Sequence, residues 1–309
     1  MYPINTSIRE INDNSWLIAE TLLLYRQKTR SSSLASWSDG NGAFFSLSSA
    51  ASAPIPETRP LPATSELEKV YDAGDVSAVW RVGEAFVKLK ELVTRNATRE
   101  HITLEYLQSK QPLDFSTPEV HYHADLSGNR YLIVLGRVPG VTLHDMWYEM
   151  DEKVQQECVS RIANICKSLA TWTGEAISGV DGNQLTEYYL MKPRTEMVFD
   201  PDSLYKTCHE LKMDCSSLVF YHCDLGPGNI LFDRTDGSLS IIDWETAGYV
   251  PKEWIRAKFC CSSGMDLPAR PSSGDTILPQ HDWRRRVSQE LEKLGFSDVV
   301  ENWVSWRVI

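Results

Sequence analysis

The chain is short of positive charge: 31 Lys and Arg stand against 42 Asp and Glu, a formal net charge of -11. Sequence-independent binding of nucleic acid needs a basic surface to neutralise phosphates, so no nucleic-acid partner is expected. Clustered thiols are lacking as well. The seven cysteines, Cys158, Cys166, Cys208, Cys215, Cys223, Cys260 and Cys261, are odd in number and contain no Cys-x-x-Cys pair. Zinc cages need such spacing; these read as reduced, mostly buried thiols of a cytoplasmic protein. Long apolar runs are missing too. The most apolar early stretch, residues 16–25, contains Glu20 and follows Arg9, Glu10 and Asp13. It is too short to span a bilayer and lacks a basic leader. It predicts no membrane partner and a short helix packed on the body.

What is present belongs to a globular enzyme. Hydrophobic residues at 42% and charged residues at 24% exclude a disordered chain, and 309 residues suggest two lobes. Residues 31–64 are rich in Ser, Ala and Pro, which predicts an irregular arm with Trp37, Phe44 and Phe45 as anchors. Residues 1–65 are therefore expected to be an N-terminal helix and an irregular arm. From residue 66 alternating Val and aromatic residues surround Gly74 and Gly83, a run of antiparallel strands. Ile102, Leu104 and Leu107 have helical spacing. Pro139-Gly140 ends an apolar strand and predicts a hinge between Leu135 and Gly140. Beyond it Val154, Cys158, Ile162, Ile165 and Leu169 line one helix face, as do Trp283, Val287, Leu291 and Leu294 in a helical tail. The expected class is α+β and bilobal: a strand-rich lobe over 66–138 and a mainly helical lobe over 139–309.

One segment carries chemistry. His222-Cys223-Asp224-Leu225-Gly226-Pro227-Gly228-Asn229 is followed by Asp243 fourteen residues after Asn229. Phosphoryl transfer needs a carboxylate to orient the attacking hydroxyl and take its proton, and oxygen ligands for Mg²⁺ on the nucleotide phosphates. An Asp and an Asn five residues apart supply both from one loop, and an Asp on the following hairpin can approach the same metal. A lone Asp-x-x-x-x-Asn is a common surface loop. Here it comes with a matching His, an apolar strand before it, "NILF" after it and "IIDWE" at hairpin distance.

Through "HCDLGPGNILF" and "IIDWETAGYVPKEW" the chain resembles the aminoglycoside phosphotransferase-like family, particularly its fungal branch, with choline and ethanolamine kinases as more distant relatives. The resemblance covers roughly residues 66–260. It implies a protein-kinase-like fold, ATP, Mg²⁺ and a small-molecule hydroxyl acceptor. Position by position it implies Asp224 as catalytic base, His222 as organiser of the loop, and Asn229 and Asp243 as metal ligands. It asks the first lobe for a phosphate-binding Lys, for which Lys88 is preferred over Lys90, and for a helical Glu, Glu100 before Glu105. Gly74 marks the tip of the phosphate loop, and Leu231 and Ile242 form apolar walls around adenine. Three departures stand out: Gly74 is alone at its tip, Gly136 replaces an acidic residue at the hinge, and Cys223 replaces the commoner Gly. A protein kinase is disfavoured, because no "APE"-like segment follows Asp243. A retired nucleotide-binding protein and a repurposed enzyme remain as alternatives. The acceptor wall is expected from residues 179–191 with Trp254, Asp282 and Trp283.

Overall fold

Burial alternates along residues 77–91, with Ala78, Trp80, Val82, Ala85, Val87 and Leu89 turned inward. A period of two is the mark of a strand with one buried face. The computed structural model describes residues 2–31, 34–50, 56–193, 196–269 and 279–308. Its first strands are β1 Ile8–Asn12, β2 Ser15–Ile18, β3 Leu22–Gln27, β4 Ala35–Ser38, β5 Phe44–Ser49, β6 Arg59–Pro60, β7 Glu68–Asp72, β8 Ser77–Val82, β9 Ala85–Glu91, β10 Val120–Leu126 and β11 Arg130–Gly136. They form two antiparallel sheets, of order β4-β5-β3-β2-β1-β6 and β10-β11-β9-β8-β7.

The expected N-terminal helix is not there. Residues 16–25 are the hairpin β2–β3, in the register Ile18↔Leu22. The turn between them places Ala19 and Glu20 at φ 47° and 61°, without the Gly or Asn that usually marks such a turn. The stretch expected to be an irregular arm contributes β4, β5 and β6; residues 32–33 and 51–55 of it lie outside the described residues. This first sheet packs face to face on the second. Ile8, Trp16, Leu24, Trp37, Phe45 and Leu47 meet Ala78, Trp80, Val87, Leu89 and Val134 in one core. The Trp37 indole N–H donates to the Val82 carbonyl at 2.8 Å. Gly83, at φ +60°, turns the β8–β9 hairpin where a Cβ would sit 2.7 Å from Asp39 Cα, so backbone approaches backbone there as only glycine permits.

Residues up to Arg95 and Pro118–Val138 form one compact unit; Asn96–Thr117 and Pro139–Ile309 form the second. The N-terminal sheet thus belongs to the first unit, and residues 96–117 leave it for the second. The second unit holds α1 Glu100–Gln108, α2 Leu143–Met146, α3 Glu152–Leu169, α4 Pro201–Glu210, α5 Lys252–Cys261, α6 Asp282–Lys293 and α7 Val300–Val308. Its short strands, β12 Val141–Thr142, β13 Thr173–Gly174, β14 Leu218–Tyr221, β15 Ile230–Phe232, β16 Leu239–Ile241 and β17 Gly248–Pro251, form the sheets β12-β15-β16 and β13-β14-β17. The Asp151 carboxylate caps α3 by accepting the Val154 amide at 2.9 Å. Along α3, Cys158, Ile162, Ile165 and Leu169 are buried, and along α6 so are Trp283, Val287 and Leu291. Strand-rich residues thus come first and helical ones later, the expected α+β class. No helix of the described residues is long and apolar enough to cross a membrane.

Candidate catalytic site

β14 is buried at all four positions and delivers the chain into the loop that starts at His222. This imidazole is fully buried and spans the loop. Its Nε2–H donates to the Ile242 carbonyl at 3.0 Å, and its Nδ1 accepts the Asp224 amide at 3.2 Å. Both contacts require the neutral ring with the proton on Nε2. Burial lowers the His222 pKa to about 4, which keeps that tautomer in place at neutral pH.

Cys223 and Asp243 both adopt left-handed backbone, at φ 64° and 63°. The commoner Gly at the first position is a conformational requirement; Cys223 meets it with its thiol fully buried. At the second, Asp tolerates the region and begins a single 3₁₀ turn, Trp244–Thr246. Strained backbone of this kind collects at functional sites.

The Asn229 side chain is held by Asp224. Its Nδ2 donates to the Asp224 carbonyl at 2.8 Å and to Asp224 Oδ2 at 3.2 Å. The amide nitrogen is therefore spent on Asp224, and the oxygen is the end left to act as a ligand. The hairpin β15–β16 pairs Ile230 with Ile241, and the Ile242 amide donates to the Asn229 carbonyl at 3.0 Å. That register carries Asp243 in beside Asn229. Glu100, buried at the first turn of α1, accepts the Trp244 amide at 3.2 Å. Carboxylate oxygens of Glu100, Asp243 and Glu245 lie within 4.8 Å of one another. Hard oxygen donors in this number suit Mg²⁺.

Burial raises the pKa of Asp224 to about 6. The Lys258 ammonium opposes the rise, and Asp243, Glu187 and Glu245 add to it. Lys258 and Glu187 escaped the sequence reading. Lys258, on α5, is 4% exposed and donates to both Glu187 carboxylate oxygens at 2.7 Å; the Glu187 side chain is 1% exposed. Glu187 also accepts the Trp254 indole N–H and the Tyr189 amide. Two lone charges at positions 187 and 258 give no motif. A buried Lys within an otherwise amphipathic helix was the available signal, since burying a charge is tolerated only with a partner.

The remaining candidates lie as follows. Leu231 on β15 and Ile242 are each partly exposed, while their chain neighbours Ile230 and Ile241 are fully buried. Lys88 and Lys90 lie on β9 with Phe86, on the face opposite its buried Val87 and Leu89. Gly74 sits in the β7–β8 turn at φ +67°, its amide bonded to Asp72 Oδ1 at 2.9 Å and its carbonyl accepting the Asn5 amide at 3.2 Å. Gly136 closes β11 opposite Ala85. Of the expected acceptor wall, Trp254 and Trp283 are fully buried, Trp283 against Trp147. Both are packed inside the unit. Tyr188 is exposed instead, and Gly264 approaches Asp224 so closely that a Cβ there would lie 3.5 Å from Oδ1.

The chain is similar to several known proteins. A probable choline kinase 3 of Arabidopsis thaliana is 28% identical over 131 residues, covering 41% of this chain and 35% of that protein. The chain thus spans about a third of that relative's length. Among solved structures, APH(2")-IIa in a ternary complex with streptomycin and ATP aligns at 13% identity over 73% of this chain and 76% of its own, with a TM-score of 0.46. A thermostable mutant of aminoglycoside phosphotransferase APH(4)-Ia, in a ternary complex with AMP-PNP and hygromycin B, aligns at 16% identity over 78% and 82%, with a TM-score of 0.49. The phosphotransferase enzyme family model matches residues 72–251, a span that takes in β8 and β9 as well as the whole loop and hairpin from His222 to Asp243. The match covers more than half of the chain, which belongs to the phosphotransferase enzyme family.

Proposed function

We propose that the protein transfers the terminal phosphoryl group of ATP to a hydroxyl of a small molecule. The carrying observation is the clamp between Asp224 and Asn229: a base and a metal ligand fixed to each other by one amide group. The hydroxyl oxygen attacks the γ-phosphorus in line, the new P–O bond forms as the bond to ADP breaks, and the hydroxyl proton passes to the Asp224 carboxylate. A carboxyl with a pKa of about 6 is ionised at neutral pH and is more basic than an ordinary Asp, which suits a general base. Mg²⁺, when bound, shields the negative charge of the nucleotide phosphates; Asn229 Oδ1 and the Asp243 carboxylate are the donors assigned to it. His222 acts by positioning, since its two bonds tie the Asp224 amide to the Ile242 carbonyl.

Lys88 and Gly74 are assigned to the phosphates, Leu231 and Ile242 to adenine, and Glu100 to the support of the loop that carries Asp243, through the Trp244 amide. For the acceptor, the segment Tyr188–Leu190 and the turn Ser263–Met265 are assigned, joined by Tyr189 Oη and Ser263 Oγ at 3.4 Å. Glu245 adds negative charge near Tyr188, so amino alcohols head the acceptor panel, followed by sugars and plain alcohols.

A second reading, a nucleotide-binding protein without turnover, is favoured by the Gly74 amide, which is committed to Asp72. The two separate in one experiment. Thermal shift with ATP and Mg²⁺ should show stabilisation, and Asp243→Ala should abolish it. Asp224→Asn should keep the shift and lower acceptor-dependent ATP consumption by roughly 10²–10⁴-fold. A shift unchanged in Asp243→Ala would remove the metal assignment. Turnover unchanged in Asp224→Asn would remove the base.

A further inference from the structure

β7 lies at the edge of the second sheet and is exposed at all five positions. None of residues 73–76, in the turn that follows, is buried. The pairing of β7 with β8 stops at Asp72 and Ala78. Packing therefore gives the β7–β8 turn no fixed shape, and an exposed turn of this kind opens easily. Its sequence, Asp72-Ala73-Gly74-Asp75, also sets two carboxylates at a place where a phosphate loop would meet anionic oxygens.

Another segment of the same unit holds this turn. Ile4 is fully buried in the core between the two sheets and begins a 3₁₀ turn, Ile4–Thr6. From that anchor the Ile4 amide donates to Asp75 Oδ1 at 2.7 Å, and the Asn5 amide to the Gly74 carbonyl at 3.2 Å. Asn5 Nδ2 donates to Asp72 Oδ1 at 3.1 Å, and Lys69 Nζ to Asp72 Oδ2 at 2.7 Å. Arg130, at the start of β11, donates through Nη1 to the Tyr2 carbonyl at 2.6 Å and through Nη2 to Asp75 Oδ1 at 3.1 Å. Both carboxylates are thus engaged by donors of the chain itself. Of the turn's own amides, Ala73 donates to the Ser77 carbonyl, Gly74 to Asp72 Oδ1 and Val76 to the Ala73 carbonyl. The Asp75 amide has no acceptor among the described residues.

We propose that Asn5 and Arg130 are positioning residues for the nucleotide phosphates: they brace the β7–β8 turn so that the Asp75 amide stays open to a phosphate oxygen while the Asp72 and Asp75 carboxylates are held by donors of the chain. The inference rests on the reading that sets Gly74 at the phosphates. A backbone amide is a ready donor to phosphate. A carboxylate left free beside it would repel the same oxygens; here the Ile4 amide and the Arg130 guanidinium share Asp75 Oδ1. A loose loop must also be ordered when the nucleotide binds, and that ordering weakens affinity. With Gly74 alone at its tip, this loop is ordered beforehand by a segment some 70 residues away in sequence.

The test uses the whole chain, with Mg²⁺–ATP and adenosine as probes titrated by calorimetry. Asn5→Ala and Arg130→Lys both keep the net charge, so neither acts on the phosphates through charge alone. Each should weaken Mg²⁺–ATP by about threefold to tenfold and leave adenosine, which carries no phosphate, unchanged. Asn5 is only half-buried, and Asn5→Ala keeps the backbone bond to Gly74, so that variant carries the test if Arg130→Lys fails to fold. Equal weakening of both probes would mean that these contacts only hold the unit together, and overturns the proposal. Mg²⁺–ATP binding unchanged in both variants overturns it too, with the phosphotransferase reading left standing. Wild-type protein that does not bind Mg²⁺–ATP removes that reading and the brace together.

Discussion

The first unit meets its buried acids from the rim, and the second meets them from within. Glu10 and Asp39, both buried, are held by Arg59 and Arg26, whose side chains are 65% and 26% exposed. Apolar side chains of both sheets form the core between them. In the second unit Glu187 and Lys258 are 1% and 4% exposed, and His222 and Glu100 are buried as well. A charge pair taken wholly out of water rarely repays its desolvation. Apolar residues often hold a fold as well; the effect of this pair that reaches beyond itself is electrostatic, Lys258 lowering and Glu187 raising the Asp224 pKa. The first unit keeps one partner of each of these ion pairs near water; the second takes both partners out of it.

The comparison breaks most visibly at Lys258. Lys258→Met leaves Glu187 buried without its counter-charge and should cost roughly 3–5 kcal/mol. Glu187→Gln together with Lys258→Met removes both charges and should recover part of that loss: the Gln Oε1 still accepts from the Trp254 indole or the Tyr189 amide, but its NH2 group meets the other donor. Chemical denaturation of the three proteins measures the cycle. Equal losses in the single and double variants would show that the pair is ordinary packing.

Acid should separate the units next. The His222 pKa falls to about 4 on folding from an unfolded value of about 6.5. A base with a depressed pKa holds fewer protons when folded, so its contribution is lost as pH falls from about 6.5 towards 4, roughly 3 kcal/mol in all. Asp224 works in the opposite sense. Its folded pKa of about 6 lies above the unfolded value of about 3.9, so protonation relieves the folded state over nearly the same window. The two slopes oppose in the wild type. Asp224→Asn should expose the histidine slope alone: amides of β14 should lose protection as pH drops below 6.5 in chelated buffer. In the first unit, burial raises the Asp39 pKa, but bonds from Asn41, Arg26 and Ala43 outweigh it and hold it below the ordinary value. Its contribution is present above about pH 4 and is lost only as pH falls below that. Hydrogen exchange in β2 and β9 should therefore stay flat where β14 changes. Parallel loss in both units would mean that they unfold together, and the contrast would vanish.

The two regions also differ in what their residues announced. His222, Asp224, Asn229 and Asp243 were legible because a short loop and the next hairpin hold them in sequence order, and backbone register then brings them together. Helix faces such as Cys158–Ile162–Ile165–Leu169 were legible through their period. The N-terminal sheet was not. Its residues 16–25 are apolar on consecutive positions, and the turn at Ala19 and Glu20 carries no turn residue, so a helix fitted the pattern equally well. Ser-rich β4 and β5 bury only Trp37, Phe45, Ser46 and Leu47, too little apolar sequence to mark strands without the partner sheet. Glu187 and Lys258 were hidden for a different reason: they are 71 residues apart in sequence, and only tertiary packing makes a pair of them.

Cys223 offers the smallest and sharpest test. At an ordinary buried position Gly is worse than Ala by about 0.5–1 kcal/mol, because it loses more backbone freedom on folding. At φ 64° the Cβ of any other residue crowds the following carbonyl, at a cost of about 1–2 kcal/mol. Cys223→Ala keeps that crowding and gives up the buried sulfur. Cys223→Gly also gives up the sulfur, but it relieves the backbone. The usual order should therefore invert, with the Gly variant at least as stable as Ala and within about 1 kcal/mol of the wild type. Thermal unfolding of the three proteins decides the order. If Ala proves the more stable, the left-handed loop costs nothing, and the strain assigned to the residue beside Asp224 is not there.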